Sequence, residues 1–184
     1  DGGETNGHKK IRNSEFFREL VKTAVSYIRS KREGIFSIDL RLRPYGKSGP
    51  LASSLERFSH YYGRSGEAHS IERLSLVRLR GIGGDPQLSR QVENIRDELV
   101  YKERNIKLDE LRAARKAQLT DKTKPGILNA KYSTGALVDL EYSVQILQVE
   151  HGAEYPILRT PSIHKALKAL VKLEVIQQNE ADQL

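Results

Sequence analysis

Cysteine, methionine and tryptophan are absent from the 184 residues, and proline occurs only six times. Without cysteine there is no disulfide framework and no thiolate chemistry, a composition that fits a reducing cytoplasm. The five histidines, His8, His60, His69, His151 and His164, show no H-x-x-x-H spacing. With no cysteine to complete a ligand set, a zinc centre is not expected. No apolar run approaches the ~20 residues of a membrane span, so no membrane association is expected. The N-terminus lacks the charged-then-apolar layout of a secretory signal. Neither G-x-S-x-G nor a Ser/His/Asp arrangement is discernible, which leaves no basis for a serine hydrolase. The sequence opens on Asp1 with no methionine anywhere, and is read as a piece of a longer protein.

What is there is an ordinary globular balance, 38% hydrophobic and 30% charged. Lysine and arginine total 31 against 24 acids, giving a formal net charge of +7. Such a surface favours polyanions, namely nucleotides, nucleic acid or an acidic protein; scattered charges can equally be solvated helix faces. The basic residues form no long run and no RNA-binding signature appears, which disfavours nucleic acid.

Residues 1–12 are Gly-rich and polar and read as a loop or frayed start. From Asn13 the period becomes helical, with Phe16, Phe17, Leu20, Val21, Ala24 and Ile28 at three- and four-residue steps and Asn13 or Ser14 as cap. Gly34 ends that stretch. Residues 35–43 then alternate, with Phe36, Ile38, Leu40 and Leu42 on one face and Ser37, Asp39, Arg41 and Arg43 on the other. This is a strand signature, stopped by Pro44. A lone strand is not viable, so its sheet partners are expected mostly outside this sequence. Helices are expected after it: from a Ser53/Glu56 capping box to Tyr62, from Ser70 through Leu74 and Val77, and from Asp85-Pro86 along Leu88, Val92, Ile95 and Leu99. Further helices are expected through Leu108, Leu111 and Ala114, through Leu137, Leu140, Val144 and Leu147, and from Thr160-Pro161 onward. Residues 120–129 read as a mobile connection.

The polar face of the strand carries the chemistry. Residues two apart on a strand point the same way, about 6.5–7 Å from each other. A carboxylate at Asp39 beside the guanidiniums of Arg41 and Arg43 suits a metal–phosphate complex: the acid ligates or orients around a divalent metal, and the arginines take phosphate oxygens bidentately. The loop at 44–50 adds Lys47, the Ser48 hydroxyl and backbone N–H groups around Gly46 and Gly49. An exposed strand face with Asp–Arg cross-pairs explains the same residues without a ligand. The spacing of a Walker loop is absent.

The string IDLRLRPYGKSGPLASSLERFSHYY resembles a segment of glutamine synthetase adenylyltransferases that reads as aspartate, then RLRP, then G-x-SGPL. IERLSLVRLRGIGGD, KYSTGALVDLEYSVQILQVEHG and LRTPSIHKALKAL resemble later segments of that family in the same order, the likeness running from about residue 1 to the C-terminus. The resemblance implies a mainly α protein with a small β portion (α+β): the C-terminal part of a polymerase-β-like nucleotidyltransferase domain over 1–52, with the strand at 35–43, then a helical bundle over 53–184. It implies AMP transfer from ATP to a tyrosine of glutamine synthetase, or phosphorolytic removal of that AMP, with Mg²⁺ or Mn²⁺ and in control of nitrogen assimilation in the cytoplasm. Glutamine synthetase and a PII-type signalling protein are the implied partners.

Asp39 matches the family's third metal carboxylate, and no D-x-D pair for the other two occurs in the sequence. The piece alone is therefore expected not to catalyse. Lys131 matches a lysine able to contact phosphate. Asp139 and Glu141 fall early on the helix after Ala136, where acids suit the positive end of the dipole. The likeness adds a cleft-lining role for them, with Asp139 or Glu141 orienting an arginine or a metal-bound water. Arg78 and Arg80 diverge by ~200° on a helix, so one of them, taken as Arg78, faces the cleft. Glu72 is read as structural. Tyr61 and Tyr62 either stack on adenine or pack against the next helix, the packing role being favoured. The chain departs from the family at Ile71 for a tryptophan and at Ser133 and Ala136 for glycines, which puts tight backbone geometry near Gly135 in question. The alternative to an enzyme module is a basic helical module docking glutamine synthetase, a signalling protein or another anionic partner.

Overall fold

The structure is a computed structural model that describes residues 2–28 and 38–181. It is mainly helical and forms two compact units, Asp1–Ala68 and His69–Leu184.

In the first unit the Gly-rich start is closed rather than frayed. Glu4 and Arg12 form an isolated antiparallel bridge, and the Asn13 N–H donates to the Gly3 carbonyl at 2.9 Å. Helix α1 follows over Asn13–Ile28. Its apolar stripe is as expected, yet none of its residues is buried and Phe16, Phe17, Leu20 and Ile28 all stand exposed. The end of this helical stretch at Gly34 and the first residues of the expected strand, 35–37, lie outside the described residues.

Over the described part of the expected strand, residues 38–43 run as irregular chain and a bend without a ladder partner in this chain, where the sheet partners were expected mostly outside the sequence. The Asp39 carboxylate accepts from the Arg41 backbone N–H at 2.9 Å, a side-chain turn that competes with extended backbone. Alternation supplies a face, but only pairing with a neighbouring chain makes a strand.

Helix α2, Leu55–Tyr62, is capped by Ser54, whose hydroxyl accepts from the Arg57 N–H at 3.2 Å. The cap falls one residue past the expected Ser53. Tyr61 and Tyr62 are core residues, as the packing role required. Tyr61 meets Tyr45 at 4.6 Å between ring centroids, and Phe58 meets Tyr62 at 4.8 Å. That contact places α2 in the first unit, whereas it was expected with the later helices.

The second unit is built from α3 (Ser70–Ser75), α4 (Pro86–Asp97), α5 (Leu108–Lys122), α6 (Leu137–His151), α7 (Ile163–Lys172) and the short α8 (Gln178–Ala181). Asp85 caps α4 as expected, accepting from the Leu88 N–H at 2.7 Å, with Pro86 in the first turn. Helix α3 begins at Ser70 itself, with His69 as the cap residue and Glu72 accepting from the His69 N–H at 2.9 Å. Ser70 instead becomes a fully buried tie between α3 and α5. Its hydroxyl donates to Glu110 at 2.6 Å and accepts from the Lys107 N–H at 3.0 Å. That hydroxyl, with help from Lys107, holds the Glu110 carboxyl down to about 2.

Helix α4 runs on into a single π-helical turn, Glu98–Lys102, that buries Leu99, Val100 and Tyr101. Burial pushes the Tyr101 phenol up to about 12. Val144 of α6, Leu158 of the 3-10 turn Pro156–Leu158, and Ala166, Ala169 and Leu170 of α7 form one buried cluster, with Leu140, Leu147 and Ile163 packed against it. Each fully buried leucine of this set contributes about 1.5–3 kcal/mol relative to exposure. Gln148 is buried beside them. Its amide donates to the carbonyls of Leu158 at 2.5 Å and Thr160 at 2.8 Å, fixing the turn before α7 onto α6. Gln148→Leu keeps the volume and strands both carbonyls, so it should lower stability by roughly 1–3 kcal/mol. Urea unfolding followed by helical circular dichroism measures this as a lower midpoint with unchanged slope.

Candidate functional site

The candidate residues fall in both units, and each group is described within its own. In the first unit Asp39 and Arg41 meet as their spacing demanded. Arg41 Nη2 lies 2.5 Å from Asp39 Oδ2, and Arg41 Nε is 2.9 Å from both carboxylate oxygens. The Arg41 side chain, followed by its backbone N–H, holds the Asp39 carboxyl down to about 2. Asp39 is therefore ionised throughout the neutral range while standing half-exposed. Among the described residues no group of three acids or histidines could hold a metal ion. Among the described residues Asp39 offers a divalent cation one carboxylate, engaged by a guanidinium.

Arg43 takes a different place. Its guanidinium donates to the carbonyls of Leu40, Pro50 (3.1 Å) and Gly49 (3.2 Å), and so staples the loop at 44–50 back on itself. Within that loop Tyr45 and Gly46 both have left-handed backbone, φ 62° and 54°. Gly49 is required for another reason: a Cβ there would lie 1.9 Å from the Pro44 carbonyl oxygen. The N–H groups of Gly46, Ser48 and Gly49 are spent on the Arg43 and Tyr45 carbonyls at 2.8–3.2 Å, so they do not offer a cradle for phosphate. Lys47 and the Ser48 hydroxyl stand exposed on the outside of the loop.

In the second unit Asp139 finds the arginine that its position suggested. It is Arg115 of α5, with Nε 2.5 Å from Asp139 Oδ1 and Nη2 3.1 Å from Oδ2. Arg115 Nη2 also donates to the carbonyls of Tyr132 at 2.8 Å and Ser133 at 3.1 Å. Asp139 Oδ2 accepts from the Gly135 N–H at 2.8 Å. One ion pair thus fixes the whole turn that carries Lys131, whose ammonium sits 5.3 Å over the Tyr132 ring. The Arg115 side-chain bond lowers the Asp139 carboxyl from its ordinary 3.8 and Asp139 in turn raises Arg115.

Arg115 carried no signal of its own, being one of several arginines on a highly charged helix. Arg78 and Glu141 are also brought together, 3.6 Å apart and partly exposed. Arg80 lies beyond the 3-10 turn Leu76–Arg78, in irregular chain.

Two of the family departures, Ser133 and Ala136, have local explanations. Ser133 is put to use, its hydroxyl accepting from the Asn129 N–H at 2.8 Å. The left-handed residue is Gly135 at φ 75°, which is retained, while Ala136 is extended at φ −85°, open to any residue.

The first unit thus holds an acid–arginine pair beside a lysine-bearing stapled loop, and the second holds an arginine-fixed turn bearing a lysine. The model of the glutamate-ammonia ligase adenylyltransferase family matches residues 1–95, and the chain belongs to that family. A bifunctional glutamine synthetase adenylyltransferase/adenylyl-removing enzyme of Idiomarina loihiensis is 33% identical over 99% of this chain. Enzymes of the same name from Methylococcus capsulatus and Rhodopseudomonas palustris (strain HaA2) are 30% and 27% identical over 98% of it. The chain spans about a fifth of the length of these relatives, 18–20%. No described helix is long and apolar enough to cross a membrane.

Two measurements check the electrostatics. Carboxyl-carbon NMR titration should place Asp39 near 2, and Arg41→Gln should return it toward its ordinary 3.8. Because the folded value is depressed, the pair stabilises above the ordinary value and the contribution fades as pH falls through about 2. Arg115→Lys keeps the charge but loses the fork and should cost about 1–3 kcal/mol. Hydrogen exchange should then rise selectively at the Gly135 amide and its neighbours, an outcome that uniform loosening of the unit would not give.

Proposed function

We propose that this chain serves an enzyme of the kind its relatives are named for, moving AMP from ATP onto a tyrosine of glutamine synthetase or removing it with phosphate. The observation that carries the reading is the Asp39–Arg41 pair, which stands inside the matched region and beside the loop bearing Lys47 and Ser48. In this reading the substrate is ATP or the adenylylated tyrosine; Arg41, Lys47 and Ser48 are the phosphate-contacting residues of the first unit, and Lys131, taken by itself within the second unit, is a phosphate contact that the family resemblance implies. Arg43 belongs to the same group from behind, by holding the loop on which Lys47 and Ser48 stand. Asp139, Glu141 and Arg78 line the cleft, with Asp139 acting through Arg115 on the turn that presents Lys131.

The supporting chemistry is that of positioning and charge. Phosphoryl and nucleotidyl transfer ask little covalent work of the protein and much fixed positive charge around the transferred group. A guanidinium held by Asp39 is pre-oriented, which lowers the entropy cost of ordering it around an anion. Mg²⁺ or Mn²⁺ belongs to the reading as a companion of the nucleotide to which this chain brings one carboxylate, Asp39. The described residues add no second acid to it, and no step here is routed through the metal. The nucleotidyltransferase domain with a small β portion over 1–52, a PII-type partner, a cytoplasmic setting and a role in nitrogen assimilation all belong to the same reading.

The test uses the full-length enzyme that carries this chain. Asp39→Asn should lower AMP transfer or removal on glutamine synthetase by about 10²-fold or more, with unchanged helical circular dichroism. Near-normal turnover would overturn the assignment. The 184-residue chain by itself, which holds no D-x-D pair, should incorporate no AMP.

A further inference from the structure

Helix α7 reads IHKALKALVK and carries three lysines and no acid. Lys165, Lys168 and Lys172 recur at three and four residues, so they share one face, while Ala166, Ala169 and Leu170 are buried. The lysines rim a shallow hollow of about 310 Å³ completed by Ile157, Thr160 and Ala169. Ile157 is 59% exposed at its edge. Some other lysines of the chain are paired with acids. Lys22, Lys102 and Lys107 each reach a glutamate three or four residues away at 2.6–3.0 Å. Among the described residues no acid pairs with Lys165, Lys168 or Lys172. Lys165 even sits in the first turn, where the helix dipole disfavours a cation.

An apolar floor ringed by unneutralised cations calls for a ligand with the reverse pattern. We propose that this hollow docks an acidic segment of a partner protein by seating one aliphatic side chain against Ile157 and Ala169, with flanking carboxylates on the three lysines. The lining contains no aromatic ring for a base to stack on and no arginine fork for phosphate, which separates it from a nucleic-acid surface. A small inorganic anion would leave the apolar floor unused. The inference rests on α7 and the turn before it and does not depend on the assignment of Asp39.

Fluorescence anisotropy with defined peptides tests it. The probe is a labelled peptide of glutamates and aspartates with one central leucine; its controls are the same peptide with alanine at the centre and a labelled oligothymidine. The leucine peptide should bind the 184-residue chain with an affinity that falls with salt. Replacing Lys165, Lys168 and Lys172 together by glutamine should weaken it about tenfold or more. Ile157→Ser changes no charge and should weaken it roughly threefold, as should the alanine peptide on the wild-type chain. Thermal unfolding checks that the triple variant folds, and Lys168→Gln alone supplies a milder variant with a smaller loss in the same direction. The proposal is overturned by absence of binding, by binding that ignores the lysine changes, or by equal affinity for the leucine and alanine peptides. Tighter binding of the oligothymidine that the same triple change abolishes would overturn it in favour of nucleic acid.

Discussion

Irregular chain leaves carbonyl oxygens without helical partners, and in this protein arginine forks satisfy them. Arg43 takes the carbonyls of Leu40, Gly49 and Pro50, and Arg115 takes those of Tyr132 and Ser133. Arg96 takes that of Leu79, and Arg159 takes those of Gly152 and Ala153. A planar guanidinium with five donors can hold two carbonyls and a carboxylate at once, which an ammonium cannot do in one geometry. Arg159 shows the full use of this: besides its carbonyls it reaches Asp97 at 3.1 Å and lies 5.4 Å over the Tyr101 ring. Asp97 in turn binds Arg96 at 2.6 Å, so two loops and the π turn share one network. The positive excess of the composition is thus divided by chemistry, with much of the arginine holding the chain together and the lysines largely outside.

The helices were legible because burial on one side of a helix writes a 3.6-residue period into the sequence. Leu140, Val144 and Leu147 on α6 and Ile163, Leu167 and Leu170 on α7 are apolar for that reason. Element ends were less legible. Ser53 and Ser54 are chemically equal as caps, and only the packing of α2 decides between them. The strand expected at 35–43 shows the deeper limit. Alternation records which side of a segment is apolar, whereas a ladder depends on a neighbour that local sequence does not contain. Asp39 has an alternative partner two residues away, and over the described part of the segment that local bond prevails.

The candidate site divides in the same way. Asp39 with Arg41 was readable because two-residue spacing brings side chains together in extended and turned backbone alike. Arg115 was not, since it meets Asp139 from 24 residues away and looks like its charged neighbours in α5. Arg43 was readable as a cation beside a turn, but its use on the Gly49 and Pro50 carbonyls follows from how that turn folds back. The same fold-back explains Gly49, whose missing side chain leaves room for the Pro44 carbonyl. Family resemblance located these positions; the geometry says why residues of those kinds stand there.

The buried phenol of Tyr101 has an optical consequence. With no tryptophan in the chain, ultraviolet absorbance and emission come from its eight tyrosines. Tyr101 is fully enclosed, its hydroxyl has no hydrogen-bond partner, and it resists ionisation until about 12. It lies where the π turn meets the Arg159 network, so exposing it means opening the interior of the second unit. In an alkaline titration, the tyrosinate absorbance of Tyr101 would develop late. The chain therefore carries a native chromophore that distinguishes its surface from its interior without any label.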